Sequence, residues 1–140
     1  RFPGPPELIV DVAHNPQAAR VFSAWLDQHP ASAATVAVFG ALADKDVVGI
    51  VDALGSRIDR WHLGGLDAES PRGLDSASLL DRVSEHVAAR SINCHASVND
   101  ALDAAFASAA RADRIIAFGS FLVASQVIVQ MKKRAGRARD

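Results

Sequence analysis

The stretch Glu7-Leu8-Ile9-Val10-Asp11-Val12-Ala13-His14-Asn15-Pro16 passes from an apolar strand to the start of a helix with almost no loop between them. Leu8, Ile9 and Val10 form a continuous apolar run, as expected of a strand buried on both faces. Asn15 suits an N-cap, and Pro16 suits the first helical position, where a missing N–H is harmless. A β-α unit is therefore written into these residues. Asp11 and His14 sit between its strand and its helix. In an open α/β sheet, ligands bind outside the carboxyl ends of the strands, and this turn is such an end. His14 follows Asp11 by three positions, so one tight turn can offer both side chains to the same bound molecule.

Outward from this unit the pattern recurs, and strand-like and helix-like segments alternate five times. Strands are predicted at Glu7–Val12, Thr35–Gly40, Ile58–Leu63, Ile92–His95 and Asp113–Phe118, the third being weakest because Asp59 and Arg60 interrupt it. Helices are predicted at Asn15–Gln28, Asp46–Ser56, Ser76–Arg90, Val98–Ala110 and Phe121–Lys133, with a turn-rich stretch at Gly64–Gly73. The first helix places Ala18, Val21, Phe22, Trp25 and Leu26 on one face. Strict β-α alternation with non-alternating strands predicts an α/β fold, a Rossmann-like, mostly parallel sheet of about five or six strands with helices on both faces. Residues 1–6, rich in proline, read as an interdomain linker remnant. Residues 7–133 read as the domain, and residues 134–140 as a basic, flexible tail.

Composition narrows the function classes. The chain has 140 residues, 49% hydrophobic and 22% charged, which suits one ordinary globular domain. Fifteen basic residues against sixteen acidic ones give a net charge of −1, so bulk charge supports neither nucleic-acid nor membrane-surface binding. No stretch approaches the ~20 apolar residues of a membrane span, and the N-terminus lacks the features of a signal peptide. Cys94 is the only cysteine, which rules out an intrachain disulfide, and it is expected to be a buried, inert thiol.

The polar clusters fall where the sheet predicts a site. Asp11 and His14 follow the first strand, Asp44-Lys45-Asp46 the second, Glu69-Ser70-Pro71-Arg72-Gly73 the third, and Gly119-Ser120 the fifth. A parallel sheet brings all four to one edge. Asp11 offers two acceptor oxygens to a ribose diol, or else serves the turn. His14 is a donor to an anionic oxygen, or a satisfied turn histidine. Lys45 reaches an acidic substrate, or its loop is merely solvated with Asp46 capping the next helix. Ser120 stands at a helix N-terminus, which suits both an N-cap and a carboxylate or phosphate site. No GxxxxGK[ST] or GxGxxG sequence is present, and the serine of Ala117-Phe118-Gly119-Ser120-Phe121 lacks nucleophile-elbow spacing. The remaining histidines lack metal-ligand spacing, so no metal site is expected. The chain reads as one wall of a site, with no complete catalytic set within it.

D-V-A-H-N-P after a buried strand resembles the opening of the C-terminal domain of the Mur-type ATP-dependent ligases. G-A-L-A-D-K-D at Gly40–Asp46, S-P-R-G at Ser70–Gly73 and G-S-F at Gly119–Phe121 follow in the same order. The likeness runs from about Glu7 to Gln130. Asp-Lys-Asp and Pro-Arg-Gly tilt it toward the folate branch, the bifunctional folylpolyglutamate synthases/dihydrofolate synthases. The resemblance implies a cytoplasmic enzyme that joins L-glutamate to dihydropteroate, to the γ-carboxylate of folates, or to both, through an acyl phosphate. It implies ATP and Mg²⁺, held mainly by an upstream P-loop ATPase domain of the same chain, with folate or pteroate, glutamate and ATP as the small-molecule partners. Asp11 would bind the ATP ribose, while His14, Ser120 and, by looser analogy, Arg72 would face the glutamate. Asn15, Lys45 and Asp46 would line the cleft. The arginine that the family sets upstream of the strand to contact the nucleotide is expected to precede this chain. Two alternatives remain: a Mur-type ligase of the peptidoglycan branch, and a freestanding, non-catalytic α/β binding domain.

Overall fold

The computed structural model describes residues 1–87 and 91–139, with side chains through residue 137. It contains five strands: β1 (Glu7–Val10), β2 (Thr35–Phe39), β3 (Arg60–Gly64), β4 (Ser91–His95) and β5 (Arg114–Phe118). The helices between and after them are α1 (Pro16–Gln28), α2 (Val47–Leu54), α3 (Ser76–Val83), α4 (Val98–Ser108) and α5 (Phe121–Arg139). All neighbouring strands pair in parallel, in the order β1-β5-β2-β3-β4. The predicted α/β architecture is the one found.

Two apolar layers hold it together. Ala37, Phe39, Trp61, Ile116 and Phe118 point to one face, where they pack against α1, α2 and α3 through Phe22, Leu26, Ile50 and Leu79. Val36, Val38, Ile115 and Ala117 point to the other face, against α4 and α5 through Leu102, Val123 and Val127. The central strands β2 and β5 are buried along their whole length. Burying side chains of this size contributes roughly 1.5–3 kcal/mol each. The connections through α1, α2 and α3 step across one face, and α4 returns over the other to set β5 between β1 and β2. The chain segments leaving β1 and β5 thus diverge to opposite faces, which opens a crevice at their carboxyl ends.

The amino-terminal edge of the sheet is fastened by charge. Buried Arg114 donates to Glu7 at 2.7 Å. Arg60 donates to Asp113 at 3.1 Å, and the Thr35 N–H donates to Asp59 at 2.8 Å. Asp59 and Arg60, which seemed to interrupt the third strand, instead tie its start to its neighbours, and the strand beyond them is buried. Phe2, in the expected linker, exchanges two 2.8 Å backbone hydrogen bonds with Leu8.

Four local expectations are corrected. Cys94 is exposed, because β4 is an edge strand with a single neighbour, and its thiol lies 3.7 Å from the Ser76 carbonyl. Helix α3 stops at Val83 instead of Arg90, since the weak helix formers Ser84 and His86 follow, and His86 turns toward Asp52 at 3.4 Å. Residues 88–90 of that predicted helix lie outside the described residues. Helix α5 runs to Arg139 instead of ending at Lys133. Arg134, assigned to the tail, pairs with Asp103 at 2.9 Å and lies 4.3 Å over the Phe106 ring, so packing on α4 extends the helix. Among the described residues, no helix is long and apolar enough to cross a membrane.

His62 is buried on β3, with its Nδ1 3.0 Å from His95 Nε2 on β4. Burial, aided by the charges of His95 and Arg60, pushes its pKa down to about 4. An unfolded histidine takes up its proton near pH 6.5. Below that pH the unfolded chain binds a proton that the folded chain refuses, so stability falls as the pH drops from about 6.5 to about 4. The full loss is of the order of 3 kcal/mol. Denaturant unfolding across this window should show the decline, and His62→Gln should flatten it.

Candidate ligand-binding edge of the sheet

The Asp11–Asn15 segment builds a partition. The Asp11 N–H donates to the Ala117 carbonyl at 2.9 Å, so strand pairing outlasts β1 by one residue. Ala13 is fully buried and pins the turn to the core. Asn15 then caps α1, its Oδ1 accepting from the Ala18 N–H at 2.8 Å, with Pro16 starting the helix. These constraints send the two chemically interesting side chains apart. Asp11 opens into a groove of about 530 Å³ with Ile9, Asn15, Val21 and Trp25. His14 opens into a second cavity of about 420 Å³ with Lys45, Glu69, Arg72, Ser120 and Phe121. Asp11 and His14 thus line different cavities, with buried Ala13 between them in the chain.

Each side chain is poised differently. Partial burial pushes the Asp11 carboxyl above the usual carboxylate range, against the pull of the Ala13 amide. Among the described residues it has no ion-pair partner. It is an acceptor with spare capacity, beside the apolar surface of Trp25. His14 Nδ1 lies 2.8 Å from the Val12 carbonyl, which can only accept, so that nitrogen carries the hydrogen. Its ring is 5.6 Å from that of Phe121.

The second cavity is assembled from the ends of four strands. Its far wall is two loops zipped together, the one after β2 and the one after β3. The Ala43 N–H donates to the Arg72 carbonyl at 2.7 Å, the Leu74 N–H donates to Ala41 at 3.1 Å, and Leu42 bridges Gly73. At Gly73, a Cβ would lie 2.0 Å from the Leu66 carbonyl oxygen, so only glycine permits this approach. The Arg72 guanidinium meets Asp44 at 3.1 Å on the exposed rim. Ser120, 3% exposed, accepts from the N–H groups of Leu122 at 3.0 Å and Val123 at 3.2 Å. It therefore caps α5 at the cavity floor.

Of the expected cleft residues, Asn15 lines the groove and also caps a helix, and Lys45 lines the second cavity. Asp46 does neither: its carboxylate is turned to the Gly49 N–H at 2.9 Å, which fixes it as the cap of α2. The sequence reading missed Phe121 and Trp25 as lining residues. Phe121 carries a signal in hindsight: a large aromatic directly after a predicted strand-end serine, 66% exposed. Among the described residues, no three His, Cys, Asp or Glu side chains converge to hold a metal ion.

The fold that carries this edge, a five-stranded parallel sheet with helices on both faces, has counterparts among known proteins. Residues 2–121 match the family "Mur ligase, glutamate ligase domain", and the chain belongs to that family. The particular proteins it is similar to are dihydrofolate synthases/folylpolyglutamate synthases. That of Escherichia coli (strain K12) is 34% identical over 134 residues, 94% of this chain and 30% of the relative. The structure of E. coli FolC with ADP and without folate substrate superimposes with a TM-score of 0.81 at 33% identity, over 92% of this chain and 29% of that one. A bifunctional folylpolyglutamate synthase/dihydrofolate synthase with Mn, AMPPNP and L-glutamate bound gives 0.74 at 36% identity, over 89% and 29%. The chain therefore spans about 30% of the length of the curated relative it matches.

The seam at Ser120 sets the shape of the cavity floor. Gly119 has φ of +119°, and a Cβ there would lie 2.0 Å from the Gly40 carbonyl oxygen. Gly119→Ala should destabilise the domain by about 2–3 kcal/mol from backbone strain and overlap. Ser120→Ala should cost about 1 kcal/mol from the lost cap. Urea unfolding measures both, and equal losses would contradict this geometry.

Proposed function

We propose that this domain is the C-terminal part of an ATP-dependent ligase that adds L-glutamate to dihydropteroate, to the γ-carboxylate of folates, or to both. The observation that carries the proposal is the partition at Asp11–Asn15, which separates a groove holding an uncompensated carboxylate from a cavity holding His14, Lys45, Arg72 and Ser120. The first suits a diol, and the second suits the carboxylates of an amino acid. The names of the relatives, and the ADP, AMPPNP and L-glutamate bound in their solved structures, support the same reading.

In this mechanism the γ-phosphoryl group of ATP passes to a carboxylate oxygen of the pterin-bearing acid, giving an acyl phosphate and ADP. The glutamate amine attacks the acyl carbon and loses a proton, a C–N bond forms through a tetrahedral intermediate, and phosphate leaves. Asp11, half-buried in its groove, accepts hydrogen bonds from the ribose hydroxyls. Arg72 and Lys45 attract the carboxylates of glutamate, and the α5 N-terminus at Ser120 adds its partial positive charge. His14 stands at the boundary between nucleotide and amino acid. The P-loop and the Mg²⁺ ligands are assigned to an upstream domain of the same chain, and the enzyme to the cytoplasm. Closure of the two domains aligns the reactants and keeps water from the acyl phosphate.

The test is ADP release by the full-length enzyme with Mg-ATP and glutamate, comparing dihydropteroate, tetrahydrofolate and a UDP-muramoyl acceptor. Release with a pterin acid is the expected result, and release with the muramoyl acceptor alone would overturn the reading. Asp11→Asn should raise KM for ATP about tenfold or more, the scale of a lost hydrogen bond to a charged group. The isolated chain should hydrolyse no ATP.

A further inference from the structure

Among the side chains that line the second cavity, Glu69 is the one with no place in the binding scheme above. The other ionisable groups there are Lys45, Arg72 and His14. Arg72, assigned above to a glutamate carboxylate, also meets Asp44 on the exposed rim. Among the described residues, Lys45 and Glu69 have no ion-pair partner, and they do not pair with each other. One concave surface thus holds two opposite charges apart and uncompensated. A ligand that carries both signs on a short framework would satisfy them together. A purely anionic ligand would satisfy Lys45 and be repelled by Glu69.

The backbone under Glu69 is firmly placed. Its own N–H and that of Ser70 both donate to the Leu66 carbonyl, at 3.1 and 3.0 Å. The Gly73 N–H closes the turn onto the Ser70 carbonyl at 3.0 Å, and Ser70 Oγ accepts from the Arg72 N–H at 3.2 Å. Glu69 is thereby carried on the same ordered turn as Arg72, with a fixed origin for its side chain. Glu69 is exposed, and a carboxylate on such a turn can accept from the three N–H donors of an ammonium group.

We infer that Glu69 binds the α-ammonium of the incoming amino acid, so that the cavity selects a zwitterion over a plain dicarboxylic acid. This inference rests on the ligase reading above and adds to it the group that recognises the nucleophile before it loses its proton. It makes Glu69 a substrate-binding residue that discriminates by charge.

The experiment uses the full-length enzyme, saturated with Mg-ATP and the pterin acid. Two constants are measured for the wild type, Glu69→Gln and Glu69→Asp: KM for L-glutamate, and Ki for glutarate, which keeps both carboxylates and lacks the amine. Glu69→Gln should raise the glutamate KM about tenfold, the scale of one hydrogen bond between charged groups, while lowering the glutarate Ki, because the repulsion is gone, and leaving the ATP KM unchanged. Glu69→Asp, which keeps the charge, should restore much of the loss. Equal weakening of glutamate and glutarate would overturn the inference by assigning Glu69 a role in loop structure. Unchanged constants for both would overturn it as well, leaving Glu69 to pair elsewhere, for example with a cation of the upstream domain. In both cases an active wild type would leave the ligase reading standing. A wild type with no glutamate-dependent ADP release would remove that reading and this inference together.

Discussion

The structure depends on one insertion: the last strand, β5, lies between the first two. Its pairing with β1 and β2 completes the sheet, and its departure into α5, opposite in direction to α1, makes the crevice. The insertion is tight at the carboxyl end, where Gly119 turns against the Gly40 carbonyl and Phe118 stacks on Phe39 with ring centroids 4.8 Å apart. No side chain fits between the strand ends there. The backbone of Ser120 is delivered to the cavity floor by that contact, and the position of the α5 dipole follows from it. The site is thus a product of how closely two strands end, as much as of which polar residues follow them.

Much of this was legible in the sequence, for reasons that can be named. The strands β2 and β5 are unbroken apolar runs, and parallel strands covered on both faces must read that way. Asn15-Pro16 marked the start of α1 because a cap and a proline each have one favoured place. The polar clusters at four strand ends pointed to a common edge because parallel strands share direction. Motif likeness then gave the family, and the family match agreed with it.

What stayed hidden was set by strand order and by neighbours distant in sequence. Cys94, within the predicted strand Ile92–His95, was read as buried, whereas a strand at the sheet edge has solvent on one side. Asp59 and Arg60 looked disruptive until their partners Thr35 and Asp113 were known. The separation of Asp11 from His14 turned on Ala13, whose burial no local pattern announces. Asp46 and Lys45 are adjacent in sequence, yet one is consumed by a helix amide and the other faces the cavity. For Cys94, Asp59 and Arg60 a contact distant in sequence decided the outcome, whereas for Asp46 a local helix cap did.

The ionic clasps of Glu7 with Arg114 and of Arg60 with Asp113 all lie at the amino-terminal ends of the strands, away from the cavities formed at the opposite rim. The fold is anchored by charge at one end, and at the other by close backbone contacts at Gly119 and Gly73 with more exposed loop side chains between them. Replacing the loops after β2 and β3 changes what the domain grips without touching what orders its strands. Such a scaffold lets loop residues be rewritten while the strand order is inherited intact.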